Sequence, residues 1–381
     1  MQTKNNQKIL KFLRSRQQEM TDLLARLVNM ESPSDHKPSL DVQSDFLAAH
    51  LRSLNADVEI LALPEAGNHV KAVWGTGPGS TLMLCHTDTV WPVGTTAVRP
   101  ASIQDDRLYG PGAEDMKGGI VVSLFAMRAL RDLNLLPADG RLTLILNSDE
   151  EIGSHTSRQV IEEEALNHRR VFVMEPAVPP GAYKTQRKGV GEFTVKVKGL
   201  AAHAGADHAK GVNAIEELAR QIITIQGFTD YQSGTTLNVG VIGGGTRSNV
   251  VPAEAWAEVD VRVERLEEAP KIEALMQGLK PHDPKASLEV SGGVGRPPLI
   301  RTPQIAELYG RAKAIAGDMG IPLDEASSGG ASDGNFTAAL GVPTLDGMGV
   351  VGDGAHAVDE FAVISSLPER AALLAAMLLE N

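Results

Sequence analysis

Residues 81–88, TLMLCHTD, contain a short apolar run that ends in a histidine and an aspartate. Three other apolar runs have a similar length and also lie between polar segments: 70–73, 142–146 and 171–174. Apolar residues at helical spacing predict helices at 118–133 and 157–165, between these runs. Strands that alternate with helices indicate an α/β layer with a largely parallel sheet.

The middle of the chain has a different pattern. Phe193, Val195 and Val197 alternate with polar residues, which is typical of a sheet with one solvated face. The same alternation returns at 237–241 and 259–263, with helical patterns at 214–226 and about 268–279. We therefore expect a discontinuous α/β domain, 1–186 and 298–381, interrupted by an inserted α+β domain, 187–297.

Composition excludes several classes of protein. The 381 residues include 36 Lys and Arg against 48 Asp and Glu, a net charge of −12, which disfavours nucleic acid or an anionic membrane as partner. Cys85 is the only cysteine, so neither an intramolecular disulfide nor a thiolate-rich metal site is available. The first twenty residues are too polar for a signal peptide, and no run of about 18 apolar residues occurs. We expect a soluble, cytoplasmic protein.

Potential metal ligands stand where three of the apolar runs end. His86 follows the run at 81–85, Glu151 follows the run at 142–146, and Glu175 follows the run at 171–174. The ends of parallel strands meet at one edge of a sheet. Asp115 and His356 lie in glycine-rich segments. Imidazole and carboxylate ligands suit Zn²⁺, or Co²⁺ or Mn²⁺.

Five such groups exceed what one catalytic zinc ion needs. With Asp115 as a bridge they fit two ions, His86 and Glu175 on one, Glu151 and His356 on the other. The alternative is that these acids cap helices or face solvent.

Glu150 and Glu151 are adjacent, and we expect them to have different roles. Successive residues of an extended segment point to opposite sides, so Glu150 can serve as a general base if Glu151 binds metal. The competing interpretation is that Glu150 is a surface acid.

Five segments carry a resemblance to a known family. In chain order they are MLCHTDTVWPVG, YGPGAEDMKGG, LNSDEEIGS, FVMEPA and GDGAHAVDE. The set resembles the motifs of dinuclear zinc exopeptidases and deacylases, which include glutamate carboxypeptidase, acetylornithine deacetylase, succinyl-diaminopimelate desuccinylase and aminoacylase. The resemblance implies a zinc-exopeptidase-type mixed sheet flanked by helices, with an inserted dimerisation (lid) domain.

The same resemblance implies roles for particular residues. It makes His86, Asp115, Glu151, Glu175 and His356 the ligands of two zinc ions, with Asp115 bridging. Asp88 would orient His86, and Glu150 would be the general base. Members of this family usually have a cis peptide after the bridging aspartate.

In the inserted domain, the resemblance assigns His203 to the oxyanion of a partner subunit's site, which implies a homodimer. A lone histidine is more often structural. Asn249 matches a position near the substrate, and Arg262 and Arg296 match arginines near its free carboxylate. Each arginine could equally form a surface ion pair. Asp333 lies in a segment that resembles another loop beside the site.

These observations predict an amidohydrolase that releases a C-terminal amino acid, most like glutamate carboxypeptidase. The two ions would hold a water molecule and polarise the scissile carbonyl. Its substrate would be a small molecule or short peptide with a free carboxylate. An N-acyl-amino-acid deacylase is the alternative enzyme, and a catalytically silent metal-binding assembly protein is the alternative from another class.

Overall fold

The computed structural model describes residues 2–137 and 140–380. Its helices in this range are α1 (Gln2–Arg14), α2 (Gln17–Val28), α3 (Lys37–Ser53), α4 (Thr95–Val98), α5 (Gly119–Asp132), α6 (Arg158–Leu166), α7 (Ala214–Gln226), α8 (Glu268–Gln277), α9 (Pro303–Met319), α10 (Gly334–Ala339) and α11 (Ser366–Leu378). Its strands are β1 (Asp57–Leu61), β2 (His69–Trp74), β3 (Gly79–His86), β4 (Ser102–Gln104), β5 (Arg107–Tyr109), β6 (Arg141–Asn147), β7 (His168–Val173), β8 (Tyr183–Arg187), β9 (Gly189–Lys198), β10 (Thr236–Gly244), β11 (Glu254–Val263), β12 (Ser287–Arg296), β13 (Glu325–Ser328), β14 (Thr344–Leu345), β15 (Gly352–Asp353) and β16 (Phe361–Val363).

The chain forms two compact units. The first contains the described residues of 1–186, 301–327 and 332–381, and the second contains 187–300 and 328–331.

The first unit is built on a mixed six-stranded sheet. Its strand order is β1-β2-β6-β3-β7-β14. The pairs β6–β3, β3–β7 and β7–β14 are parallel, whereas β1–β2 and β2–β6 are antiparallel. β3 and β6 are buried along most of their length, which explains why they are continuous apolar runs without alternation. The predicted α/β class with a mixed sheet and flanking helices is confirmed.

A second, antiparallel sheet in this unit has the order β15-β16-β5-β4. β16 pairs with β5, so Phe361 lies opposite Tyr109 and Val363 opposite Arg107. This short pairing brings the chain after residue 356 beside the chain before residue 115.

The second unit is a four-stranded antiparallel sheet with the order β10-β11-β9-β12 and the helices α7 and α8. Buried and less buried residues alternate along β9 and β11, and the buried valines and Phe193 form a core with Leu218 of α7 and Ile272 of α8. The alternation therefore marks the core face of this sheet, as expected for an antiparallel sheet.

At the two ends of this unit, Arg187 and Leu299 exchange two backbone hydrogen bonds of 2.9 and 3.1 Å.

The length and polarity of the helices bear on whether one could cross a bilayer. Across residues 2–137 and 140–380, none is both long enough and apolar enough to do so.

Candidate metal centre

Three parallel strands deliver acidic and imidazole side chains to one sheet edge. His86 ends β3 and lies opposite Asn147, the last residue of β6, while Leu84 lies opposite Val173, the last residue of β7. The segments that follow β6 and β7 carry Glu150, Glu151 and Glu175. Parallel register therefore accounts for the convergence of groups that are far apart in the chain.

Asp115 lies between two histidines. Its Oδ1 is 3.2 Å from His86 Nε2, and its Oδ2 is 3.4 Å from His356 Nε2. His86 Nε2 is also 3.5 Å from Glu175 Oε1, and His356 Nε2 is 3.1 Å from Glu151 Oε2. The two oxygens of one carboxylate thus face two separate groups of ligand atoms, His86 with Glu175 and His356 with Glu151.

Glu150 lies beside the His86 group. One ligand atom from each of His86, Glu150 and Glu175 lies within 4.8 Å of the other two. A second set at the same spacing, which also contains His86, joins it with Asp115 and Glu151. The adjacent glutamates therefore contribute to different groups.

The charges of this cluster depend on one another. Burial alone would raise the pKa of Asp115, but hydrogen bonds from His356 and His86 hold that pKa well below its usual range. Asp115 and Glu151 raise the pKa of His356 to about 10. Burial would lower the pKa of His86, but Asp115, Asp88 and Glu175 raise it well above 6.5. The carboxylates therefore favour positive charge at both histidine positions.

The residues fit a pair of divalent cations. Glu151 Oε1 is buried and accepts no hydrogen bond from any residue in the described part of the chain. Two imidazoles and several carboxylates at mutual distances of 3.1 to 3.5 Å are the donor types that Zn²⁺, Co²⁺ and Mn²⁺ accept. The two groups differ in exposure to solvent, because the side chain of His86 is 2% exposed and that of His356 is 53% exposed.

Asp88 contacts both His86 and the segment that carries the glutamates. His86 Nδ1 lies 3.0 Å from the main-chain carbonyl oxygen of Asp88 and 3.4 Å from its Oδ1. The Asp88 carboxylate accepts hydrogen bonds from the backbone N–H groups of Glu150 and Glu151, at 3.2 and 3.1 Å, and from Ser34 Oγ at 2.8 Å. The nearer acceptor for the imidazole is therefore the carbonyl, and the carboxylate fixes the backbone of the two glutamates.

The turn that carries Asp115 is irregular. Gly112 has φ +73°, a Cβ there would lie 2.7 Å from Thr89 Cγ2, and Asp115 itself has non-helical dihedral angles. The Asp115–Met116 peptide is cis, as the family resemblance implies. The buried Glu360 side chain accepts hydrogen bonds from backbone N–H groups of this turn, including that of Asp115.

Sequence reasoning missed Glu360. Its partners are three main-chain N–H groups and the Trp91 indole N–H, all more than 240 positions away, which no spacing rule identifies.

Asp333 lies in the first unit, under the segment that follows β6. It is 3% exposed, and its carboxylate accepts hydrogen bonds from Asn147 Nδ2 at 2.8 Å and Ser154 Oγ at 2.5 Å. These bonds hold the segment that contains Glu150 and Glu151. Contact between Asp333 and a substrate stays a prediction.

The remaining candidates belong to the second unit. His203 is exposed, and its Nδ1 accepts hydrogen bonds from the N–H groups of Gly205 and Ala206. Ala204 N–H donates to the carbonyl of Asn249, so the segments that carry His203 and Asn249 are adjacent. Their contacts with substrate stay predictions.

Arg262 and Arg296 stand in one row across the second sheet. Both pair with Val190 of the central strand β9, Arg262 from β11 and Arg296 from β12. Directly paired residues point to the same face. Arg262 also forms a two-pronged ion pair with Asp260.

Comparisons with known proteins identify a family for this chain. A family described as Peptidase family M20/M25/M40 matches residues 82–380. Carboxypeptidase G2 of Pseudomonas sp. (strain RS-16) is 30% identical over 369 residues, which cover 94% of this chain and 88% of that protein. Succinyl-diaminopimelate desuccinylase of Xanthomonas euvesicatoria pv. vesicatoria (strain 85-10) is 29% identical over 374 residues, covering 93% and 97%. A dinuclear metal-binding M20 peptidase from Bacillus subtilis has a similar fold, with a TM-score of 0.69, 16% identity and coverage of 96% and 98%.

Proposed function

Because the chain belongs to peptidase family M20/M25/M40, a family of metal-dependent hydrolases, we propose that it releases a C-terminal amino acid by cleaving an amide bond. The observation that carries the proposal is the position of Asp115, whose two carboxylate oxygens face His86 and His356 separately. Such an arrangement suits two ions that share one bridging ligand. The similarity to carboxypeptidase G2 favours a carboxypeptidase reaction.

Five side chains would hold the ions. His86 and Glu175 would bind one, Glu151 and His356 would bind the other, and Asp115 would bind both. Zn²⁺ is the ion we propose, with Co²⁺ or Mn²⁺ as substitutes. When bound, such ions activate water and polarise a scissile carbonyl.

Glu150 has the position for proton transfer. Its carboxylate lies within 4.8 Å of ligand atoms of His86 and Glu175. The backbone N–H of Glu150 is fixed by Asp88. We assign to Glu150 the removal of a proton from the attacking water and its return to the leaving amine.

The two arginines would recognise the free carboxylate of the substrate. Guanidinium groups suit this task because two parallel donors match two carboxylate oxygens. The support is their common row in the second sheet, on either side of Val190. We assign Asn249 to the same substrate surface.

A second copy of the chain would complete the site by supplying His203 to the oxyanion. The support is the outer edge of the second sheet, where β10 has no further strand beside it among the described residues. Val241 and Ile242 of β10, and Ile215 and Ile223 of α7, are exposed there, Ile223 to 75%. An edge strand with exposed apolar neighbours suits pairing with an identical edge in a two-fold dimer.

An N-acyl-amino-acid deacylase is the second candidate. It would use the same ligands and base, and the desuccinylase relative, which this chain matches over 97% of its length, favours it. The two enzymes differ in which part of the substrate must be recognised. A carboxypeptidase must accept a peptidyl group on the acyl side of the scissile amide, whereas a deacylase accepts a simple acyl group there, and both release an amino acid with a free carboxylate.

A substrate panel separates these possibilities. Protein loaded with Zn²⁺, Co²⁺ or Mn²⁺ would be given peptidyl substrates that end in glutamate, matched compounds whose α-carboxylate is an amide, and N-acetyl and N-succinyl diamino acids. Released amino acids would be quantified. We expect hydrolysis of the glutamate compounds and little hydrolysis of their amidated forms.

Two results would contradict the proposal. Preference for the acylated diamino acids would favour the deacylase. No turnover of any compound by protein that holds two ions would favour a catalytically silent protein.

A further inference from the structure

Glu360 is a buried carboxylate that the reaction scheme above does not use. It lies four residues after His356 and is 1% exposed. Its Oε1 accepts hydrogen bonds from the backbone N–H groups of Glu114 and Asp115, at 3.0 and 3.1 Å. Its Oε2 accepts from Gly112 N–H at 2.9 Å and from Trp91 Nε1 at 3.3 Å.

Three of these four donors belong to the turn that carries the bridging carboxylate. Asp115 has φ −113° and ψ 94°, so this turn departs from helical hydrogen bonding. Without the Glu360 carboxylate, its buried N–H groups would lose their acceptor, which makes other conformations of the turn competitive. The direction in which the Asp115 side chain points therefore depends on Glu360.

The main chain of Glu360 forms hydrogen bonds that involve the segment of His356. Glu360 N–H donates to the carbonyl of Ala357 at 3.2 Å, which closes the turn directly after His356. The Glu360 carbonyl accepts from Gly110 N–H at 3.2 Å, in the segment that leads to Asp115. One residue thus joins the segment of Asp115 to the segment of His356.

We propose that Glu360 is a positioning residue, which fixes the backbone of Asp115 so that its two carboxylate oxygens face His86 and His356 and can bridge two ions. This inference rests on the proposed function, because it takes Asp115 to be a metal ligand. Glu360 itself contacts backbone and indole N–H groups, and it acts through Asp115.

Glu360→Gln tests the proposal with little change of shape. Glutamine keeps one acceptor oxygen and turns an NH₂ group toward the other pair of donors, so at least one pair of hydrogen bonds is lost. The binding of Zn²⁺ to the metal-free variant would be measured by competition with a chromophoric chelator. The unfolding of the metal-free protein in urea would be measured beside it.

Glu31→Gln is the matched control. Glu31 accepts hydrogen bonds from Gly94 N–H, Thr96 N–H and Thr96 Oγ1, at the start of α4, in a segment that holds none of the proposed ligands. Both substitutions remove carboxylate acceptors from backbone N–H groups. Only the first removes them from the turn of a proposed ligand.

We expect Glu360→Gln to weaken the binding of at least one Zn²⁺ by about 10- to 100-fold, the range for partners that orient metal ligands. The Zn²⁺ affinity of Glu31→Gln should stay within about twofold of the parent's, because Glu31 does not orient a proposed metal ligand. The visible spectrum of Co²⁺-loaded Glu360→Gln should also change, because the bridging carboxylate is displaced. A purely structural role would lower the stability of the metal-free protein without these two effects.

Glu360→Asp provides a second variant if the glutamine variant does not fold. It keeps the charge and both oxygens but shortens the side chain by one methylene group. It should therefore fold and still bind Zn²⁺ more weakly than the parent does.

Asp115→Asn separates failure of this proposal from failure of the metal site. If Asp115→Asn loses Zn²⁺ while a folded Glu360 variant binds it as the parent does, only the role of Glu360 is wrong. The same conclusion follows if Glu31→Gln loses as much affinity as Glu360→Gln. If Asp115→Asn retains both ions, Asp115 is not the bridge, and the proposed site is wrong.

Discussion

Replacing Asp88 by asparagine should separate the two functions that this residue performs at the sheet edge. The carboxylate is fully buried and accepts one backbone N–H on each oxygen, from Glu150 on Oδ1 and from Glu151 on Oδ2. Asparagine offers one oxygen and one NH₂ group. In either orientation the NH₂ group faces one of the two N–H donors, so one donor at this buried position loses its acceptor.

The structure sets the expected magnitudes. One buried N–H without an acceptor costs about 1–3 kcal/mol, so the metal-free variant should be less stable by about that amount. The nearer acceptor for His86 Nδ1 is the main-chain carbonyl of residue 88, at 3.0 Å, and asparagine retains that carbonyl. Zn²⁺ affinity should therefore fall by only about tenfold, the low end of the usual effect of such partners.

Urea unfolding of the metal-free protein and Zn²⁺ competition measure the two effects. Glu217→Gln is the matched control, because Glu217 is also buried and accepts one backbone N–H on each oxygen, from His282 and Asp283. It should lose similar stability and no Zn²⁺ affinity. Unchanged stability of Asp88→Asn would refute the role of the two N–H bonds. A loss of Zn²⁺ affinity far above 100-fold would mean that the carboxylate, rather than the carbonyl, orients His86.

Three further predictions concern the base, the dimer and acid stability. Glu150→Gln should lower kcat by about 10²–10⁴-fold with the metal content of the parent, and near-normal turnover at full occupancy would remove Glu150 from the mechanism. Mixing inactive His203→Ala with inactive Glu150→Gln should restore activity after subunit exchange, because one site of each heterodimer then has both residues intact; exchange without activity would contradict a shared site. Burial lowers the pKa of His168 below 6.5, so the unfolded chain binds the proton first as pH falls and stability should decrease from about pH 6.5 downward. Urea unfolding at pH 7.5 and 5.5 should show a smaller decrease for His168→Gln, and an equal decrease would assign the effect to other groups.

The fold was predictable where burial leaves a pattern in the sequence. The core strands β3 and β6 are continuous apolar runs because both faces are covered, and β9 alternates because one face is less buried. The helix expected at 214–226 has those bounds in the structure, where Asn213 accepts N–H groups of its first turn. The short strands β5 and β16 were not predicted, since three residues carry too little periodicity to identify a strand.

The sequence predicted some residues of the candidate site but not the hydrogen bonds that hold them in place. Side chains that end apolar runs, such as His86 and Glu175, could be proposed because parallel strands place their ends at one edge. The hydrogen-bond partners of Asp88, Asp333 and Glu360 could not be predicted. They are backbone N–H groups or buried polar side chains that come close to these carboxylates only in the folded structure. For Asp333 the family resemblance suggests contact with a substrate, which stays a prediction; the structure shows a hydrogen bond from Asn147 to its carboxylate.

The paired hydrogen bonds between Arg187 and Leu299 bear on how such a chain can evolve. They place the first and last residues of a segment of more than a hundred amino acids beside each other. None of the six strands β1, β2, β3, β6, β7 and β14 comes from that segment. Recombination could therefore exchange the segment as a cassette between related genes, with only two junctions to repair. The arginines that we assign to substrate would be replaced, and every proposed metal ligand would be inherited unchanged.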